Sequence, residues 1–102
     1  LLYSSYQLGA PGSIAAILTA APGPSVALWN AVIDEDWNKA KDLHERLMPL
    51  WDAIGLDNMP SLCKYAQKLQ GLETGYARRP TAPATEPQKE LVKNALKNLH
   101  LI

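Results

Sequence analysis

The sequence holds a single cysteine, Cys63, so no internal disulfide can form and the thiol fits a reducing, cytoplasmic compartment. It has no surplus of charge. Ten basic and ten acidic residues cancel, which removes the strong field that nucleic acid or an anionic membrane surface would need. No apolar run approaches the roughly 20 residues of a membrane-spanning helix, and no signal peptide is visible. His44, His100 and Cys63 have no metal-ligand spacing, so neither a metal nor another cofactor is expected. There is no internal repeat, and a hydrophobic content of 47% is ordinary for a folded domain.

What is present is one uninterrupted apolar stretch, Gly12-Ser13-Ile14-Ala15-Ala16-Ile17-Leu18. It lies between the breakers Gly9-Ala10-Pro11-Gly12 and Ala21-Pro22-Gly23-Pro24. Short, bounded and without polar alternation, it predicts a strand buried on both faces. A strand needs neighbours for its backbone N–H and C=O groups, and no second strand is convincing. Leu1 to Leu8 reads as a helix with no start signal, and the first residue is leucine rather than methionine. The expectation is a chain entered mid-domain, carrying the last strand of a sheet whose other strands lie elsewhere.

The remainder reads as helices. Ser25 to Ile33 is a short apolar helix, with Pro24 suited to a first helical position. Asp34-Glu35-Asp36 breaks it, and Asp36 or Asp34 can cap the next helix, Trp37 to Ile54. There Ala40, Leu43, Leu47, Trp51 and Ile54 form one face, with Pro49 inside and expected to kink the helix without ending it. Gly55 is the stop. A third helix starts at Asn58-Met59-Pro60-Ser61 and turns Leu62, Tyr65, Ala66 and Leu69 inward until Gly71. Residues 72–84 read as a long irregular connection. Thr85-Glu86-Pro87-Gln88 is a capping box, opening a last helix with the stripe Leu91, Val92, Ala95, Leu96 and Leu99.

A search for chemistry among these residues yields little. His44 reads as a boundary histidine, His100 as a solvated one and Cys63 as a buried inert thiol. Lysines 39, 41, 64, 68, 89, 93 and 97 all fall on helices, mostly on polar faces, without the apolar setting that would suit imine chemistry. Asp34-Glu35-Asp36 reads as a solvated cap and Arg78-Arg79 as a surface pair. Gly9-Ala10-Pro11-Gly12 precedes its strand, whereas a phosphate-cradling loop follows one, so a helix-to-strand turn is the natural reading.

The ordered set Leu8-Gly9-Ala10-Pro11-Gly12-Ser13-Ile14, Pro22, Arg46-Leu47-Met48-Pro49-Leu50, Pro60, Lys64-Tyr65-Ala66, Arg79-Pro80 and Pro83 resembles the C-terminal third of the dihydrodipicolinate synthase / N-acetylneuraminate lyase family. No single motif is specific; the order over the whole chain is. The resemblance implies an α/β fold: the end of a (β/α)8 barrel in residues 1–34, followed by a C-terminal helical extension in residues 35–102. Gly12 to Leu18 would be the eighth strand and Ser25 to Ile33 the eighth barrel helix. It implies a Schiff-base-forming lyase of the class I aldolase type, acting on pyruvate or a related 2-oxo acid and assembled as a tetramer or dimer. The imine lysine and the proton-shuttling tyrosine would lie before Leu1, so this chain would carry no catalytic residue and not turn over alone. Gly9, Gly12 and Ile14 match the family's Gly-Xaa-Xaa-Gly-Xaa-Ile pattern, and Gly12, Ser13 and Ile14 would line the substrate pocket.

Departures point within the family. Synthases of the lysine pathway usually have a hydroxyl residue after the isoleucine and an asparagine four further on, where this chain has Ala15 and Thr19. Leu62 replaces the second proline of their Pro-Xaa-Pro-Xaa-Lys segment. These differences favour a catabolic aldolase, dehydratase or deaminase, with dihydrodipicolinate synthase as runner-up. Two further readings stand outside catalysis: a free helical interaction module, and a scaffold paralogue that has lost its lysine.

Overall fold

Six helices account for the regular structure of the computed structural model, which describes residues 1–102. They are α1 (Leu2–Gln7), α2 (Ala16–Ala20), α3 (Pro22–Ile33), α4 (Trp37–Ile54), α5 (Met59–Leu69) and α6 (Glu86–Asn98). The central element is α4. It packs on α3 along one side and on α6 along the other, while α5 lies against α6 and α2. One continuous core of 20 buried residues runs through all six helices, with Leu28, Leu50, Ile54, Leu62, Val92 and Leu96 fully enclosed.

The expected strand is absent. Residues 11–15 are irregular, with only Ala15 recorded as extended at φ −151°, ψ 146°, and Ala16–Ala20 is helical. A lone strand leaves its backbone groups without a ladder, whereas a helical turn satisfies them within the segment. Here Leu18 N–H donates to Ala15 O at 3.1 Å and Ala21 N–H to Ile17 O at 2.8 Å. Alanine, the strongest helix former, supplies Ala16 and Ala20. The end of α2 is tied to α5 by Gln70, whose Nε2 donates to Ala20 O at 2.7 Å and to Ala66 O at 2.9 Å. Without a strand there is no unpaired sheet edge.

Helix limits otherwise follow local chemistry. α3 begins at Pro22, earlier than the expected Ser25, because Pro22 and Pro24 both sit in a first turn that needs no N–H donors. Ser25 is buried and donates its hydroxyl to Ala21 O at 2.7 Å. α4 is capped by Asp36, whose carboxylate accepts from Lys39 N–H at 3.1 Å, and it runs through Pro49 to Ile54. Its buried face is wider than the expected stripe. Leu50 and Ala53 are enclosed because α6 covers a second side, whereas Trp51 is 40% exposed. Leu91, expected inside, is exposed on α6.

The turns after α1, α3, α5 and α6 share one device: a residue at positive φ, flanked by two nested backbone bonds. Gly9 and Gly71 take this position at φ 90° and 86°, and Glu35 and His100 take it at 56° and 55°. In α6, for example, His100 N–H donates to Lys97 O and Leu101 N–H to Leu96 O. The junction at residue 34, proposed from sequence as a boundary, is such a turn, and packing continues across it from α3 to α4.

Candidate functional site

The cap at Gly9 shapes the region where the family resemblance leads us to expect substrate contacts. Gly9 N–H donates to Tyr6 O and Ala10 N–H to Ser5 O, so the chain leaves α1 in a tight left-handed turn. The Tyr6 hydroxyl and Ser13 Oγ are 2.7 Å apart, which ties the irregular segment back to α1. Tyr6 is itself buried, its ring edge-on to Trp29 of α3 with centroids 4.8 Å apart at 81°. Ser13, Ile14 and Ala15 therefore line one part of a groove of about 330 Å³, facing Leu47, Met48 and Trp51 of α4.

Of the three residues expected to line a substrate pocket, Ser13 and Ile14 reach this groove and Gly12 does not. Ile14 is fully exposed at 106%. A Cβ added at Gly12 would meet nothing within 4 Å, so no contact inside the chain demands glycine there. His44 is the only ionisable side chain in the lining, and its ring lies 5.4 Å from that of Tyr3. The groove offers apolar walls, the hydroxyls of Ser5 and Ser13 and the His44 imidazole, and no lysine or carboxylate side chain lines it.

Reactive groups elsewhere are subdued. Cys63 is buried, and desolvation raises its thiol above the ordinary value of 9.0, which keeps it protonated and poorly nucleophilic. Its Sγ makes only a long contact of 3.9 Å to Ala16 O. Lys89 is held as the ammonium ion by a hydrogen bond and charge attraction from Glu86 at 2.6 Å, which raises its pKa and suits it poorly to imine formation. No group of three His, Cys, Asp or Glu side chains is placed to hold a metal ion, and no helix is long and apolar enough to cross a membrane.

One sequence signal bears on this surface and is easily overlooked. No Asp, Glu, Lys, Arg or His occurs before Asp34. The same stretch exposes Leu1, Leu8, Ile14, Val26 and Ile33, each more than half accessible. An uncharged surface with several accessible large apolar side chains is the pattern of a covered face rather than a solvated one.

The architecture is that of a helical piece of an enzyme fold. Its backbone superimposes with a TM-score of 0.89 on a structure described as a monomeric dihydrodipicolinate synthase variant, 29% identical, covering 99% of this chain and 34% of that one. A second dihydrodipicolinate synthase structure gives a TM-score of 0.84 at 30% identity, covering 98% of this chain and 35% of the other. The sequence matches the model of the dihydrodipicolinate synthetase family over residues 1–99, and the chain belongs to that family. Its relatives include the 4-hydroxy-tetrahydrodipicolinate synthases of Archaeoglobus fulgidus, 34% identical over 95 residues, and Methanocaldococcus jannaschii, 32% identical over 95 residues. Each alignment covers 93% of this chain and 33% of the relative. The chain thus spans about a third of the length of the curated relatives it matches.

Proposed function

We propose that this chain is the C-terminal third of a Schiff-base-forming lyase acting on pyruvate or a related 2-oxo acid. The observation that carries the reading is the family match over residues 1–99, combined with the Gly9, Gly12 and Ile14 pattern. In this reading residues 1–34 complete a (β/α)8 barrel and residues 35–102 extend it. The uncharged face of residues 1–33 then has an occupant: the rest of the barrel, which would cover Leu1, Leu8 and Ile14. Ser13 and Ile14 would wall the substrate pocket, and the imine lysine would be supplied by the remainder of the barrel. The enzyme would be a cytoplasmic homo-oligomer. Within the family, the names of the relatives favour a 4-hydroxy-tetrahydrodipicolinate synthase, while Ala15, Thr19 and Leu62 favour a catabolic aldolase, dehydratase or deaminase.

Borohydride reduction of the complete enzyme with pyruvate tests this. The expected result is a covalent adduct, located by mass spectrometry on a lysine other than those numbered here. Ile14 is exposed in this chain and would be covered by the rest of the barrel, so Ile14→Ala is expected to cost some stability in the complete enzyme, to lower turnover and to leave trapping detectable. A label on Lys39, Lys41, Lys64, Lys68, Lys89, Lys93 or Lys97 would overturn the assignment. So would the absence of any adduct, which would favour the scaffold paralogue.

A further inference from the structure

A second concavity, of about 190 Å³, lies between α5 and the connection that follows it, away from the Ser13–Ile14 groove and sharing none of its lining. Its lining includes Lys64, Tyr65 and Lys68 from α5 and Thr74, Tyr76 and Pro83 from the connection. Its charge is one-sided. Between residues 58 and 84 the sequence places Lys64, Lys68, Arg78 and Arg79 against Glu73 alone, in a chain whose total is zero. The ion pairs of the protein are Lys41–Glu45, Arg46–Asp42, Lys89–Glu86 and Lys93–Glu90, so neither groove lysine has a carboxylate within 4.0 Å. Lys64 and Lys68 stand one helical turn apart, where like charges repel unless an anion lies between them.

The walls are fixed although the connection is irregular. Thr74 Oγ1 donates to Lys64 O at 3.2 Å, Ser61 Oγ to Ala82 O at 2.7 Å and Asn58 Nδ2 to Pro83 O at 3.2 Å. A site held from three points loses little entropy on binding. Tyr76 presents a ring that is 98% exposed, while Tyr65 already carries the Lys89 ammonium 5.9 Å from its ring centroid. Two unpaired cations beside a free aromatic ring recognise a particular chemistry: an anionic group joined to a planar apolar one.

We propose that this groove binds a small aromatic anion, with its phosphate or carboxylate between Lys64 and Lys68 and its ring against Tyr76. The proposal is independent of imine chemistry and holds whichever reaction the family assignment yields.

The test is a titration of the intact protein with phenyl phosphate at low salt, followed by amide shifts in ¹H–¹⁵N spectra. The expected result is saturable shifts confined to α5 and residues 72–84. Inorganic phosphate and neutral phenol are each expected to bind at least about tenfold more weakly, a difference of about 1.4 kcal/mol. Lys64→Gln with Lys68→Gln is expected to abolish saturation, and Tyr76→Ala to bring phenyl phosphate down to the level of inorganic phosphate. Lys93→Gln with Lys97→Gln, on α6, controls for general loss of positive charge and is expected to change nothing. All these side chains are at least partly exposed, so dispersed spectra are expected from every variant. Shifts that do not saturate, shifts centred elsewhere, equal binding of phenol, or unchanged affinity in the double lysine variant would each overturn the proposal.

Discussion

Replacing Asn58 probes the joint that fixes the 70–85 connection to the helices. Asn58 is 7% exposed and precedes α5, yet it makes no capping bond to that helix. Its side chain is committed across the chain instead. Nδ2 donates to Gln88 Oε1 at 2.9 Å and to Pro83 O at 3.2 Å, and Oδ1 accepts from Gln88 Nε2 at 3.1 Å. The orientation of this amide pair follows from the backbone. Thr85 N–H donates to Gln88 Oε1 at 3.0 Å, so Gln88 must turn its Nε2 toward Asn58, and Asn58 must answer with Oδ1. Each neutral bond contributes about 1 kcal/mol net, and partners left buried without one raise the cost. Asn58→Ala is therefore expected to destabilise by about 2–4 kcal/mol. Asn58→Asp keeps the shape and replaces the donor facing Pro83 O with an acceptor, so it is expected to cost as much at neutral pH. Gln88→Ala loses the amide pair and part of the capping box, also about 2–3 kcal/mol. The two residues share bonds, so the double variant is expected to cost about 1–2 kcal/mol less than the sum of the single variants. Urea denaturation followed by far-UV circular dichroism reads all of these. An Asn58→Ala cost below about 0.5 kcal/mol, or strict additivity with Gln88→Ala, would refute the claim that this pair anchors the connection.

Two further outcomes follow from caps and titrations. Glu35 and His100 hold left-handed conformations at φ 56° and 55° that glycine adopts without steric cost. Glu35→Gly and His100→Gly are each expected to stabilise by about 0.5–1 kcal/mol, a rise of several degrees in Tm by calorimetry, whereas Gly71→Ala is expected to lower it. Burial raises the Cys63 pKa above 9.0, so the folded state retains the thiol proton longer than the unfolded state does. Its contribution is complete below 9.0 and lost as pH rises through the higher folded value. Cys63→Ala is expected to flatten the fall of stability with pH above 9.0 relative to the unsubstituted protein, and an unchanged slope would contradict this.

Much of the helical layout was legible because its signals are local. Trp37 and Ile54 bound α4 as the periodicity and the Asp36 cap indicate, and the Thr85–Gln88 box forms as its residue types require. The interior was read less well where more than one neighbour decides it. The stripe through Trp51 follows a single contact face, but α4 is flanked by both α3 and α6, so Leu50 and Ala53 are enclosed and Trp51 is left at the groove rim. Asn58 looks like an ordinary cap residue, and nothing in its neighbourhood announces a partner at Gln88. The left-handed turns at Glu35 and His100 carry no glycine, so their geometry has no compositional signal.

The apolar run of residues 12–18 exposes a deeper limit. Absence of polar alternation says that both faces want burial; it does not say what will satisfy the backbone. That second question is settled by which partners are present. In this chain none pairs with the segment, and its alanines turn Ala16–Ala20 into a helix anchored by Gln70. Ile14, two residues before it, is left fully exposed. The same composition that misleads about local structure is informative about context. An uncharged segment that holds a solvent-facing isoleucine carries apolar surface that its own fold does not use. Burial demand and secondary structure are thus separate readings of one stretch.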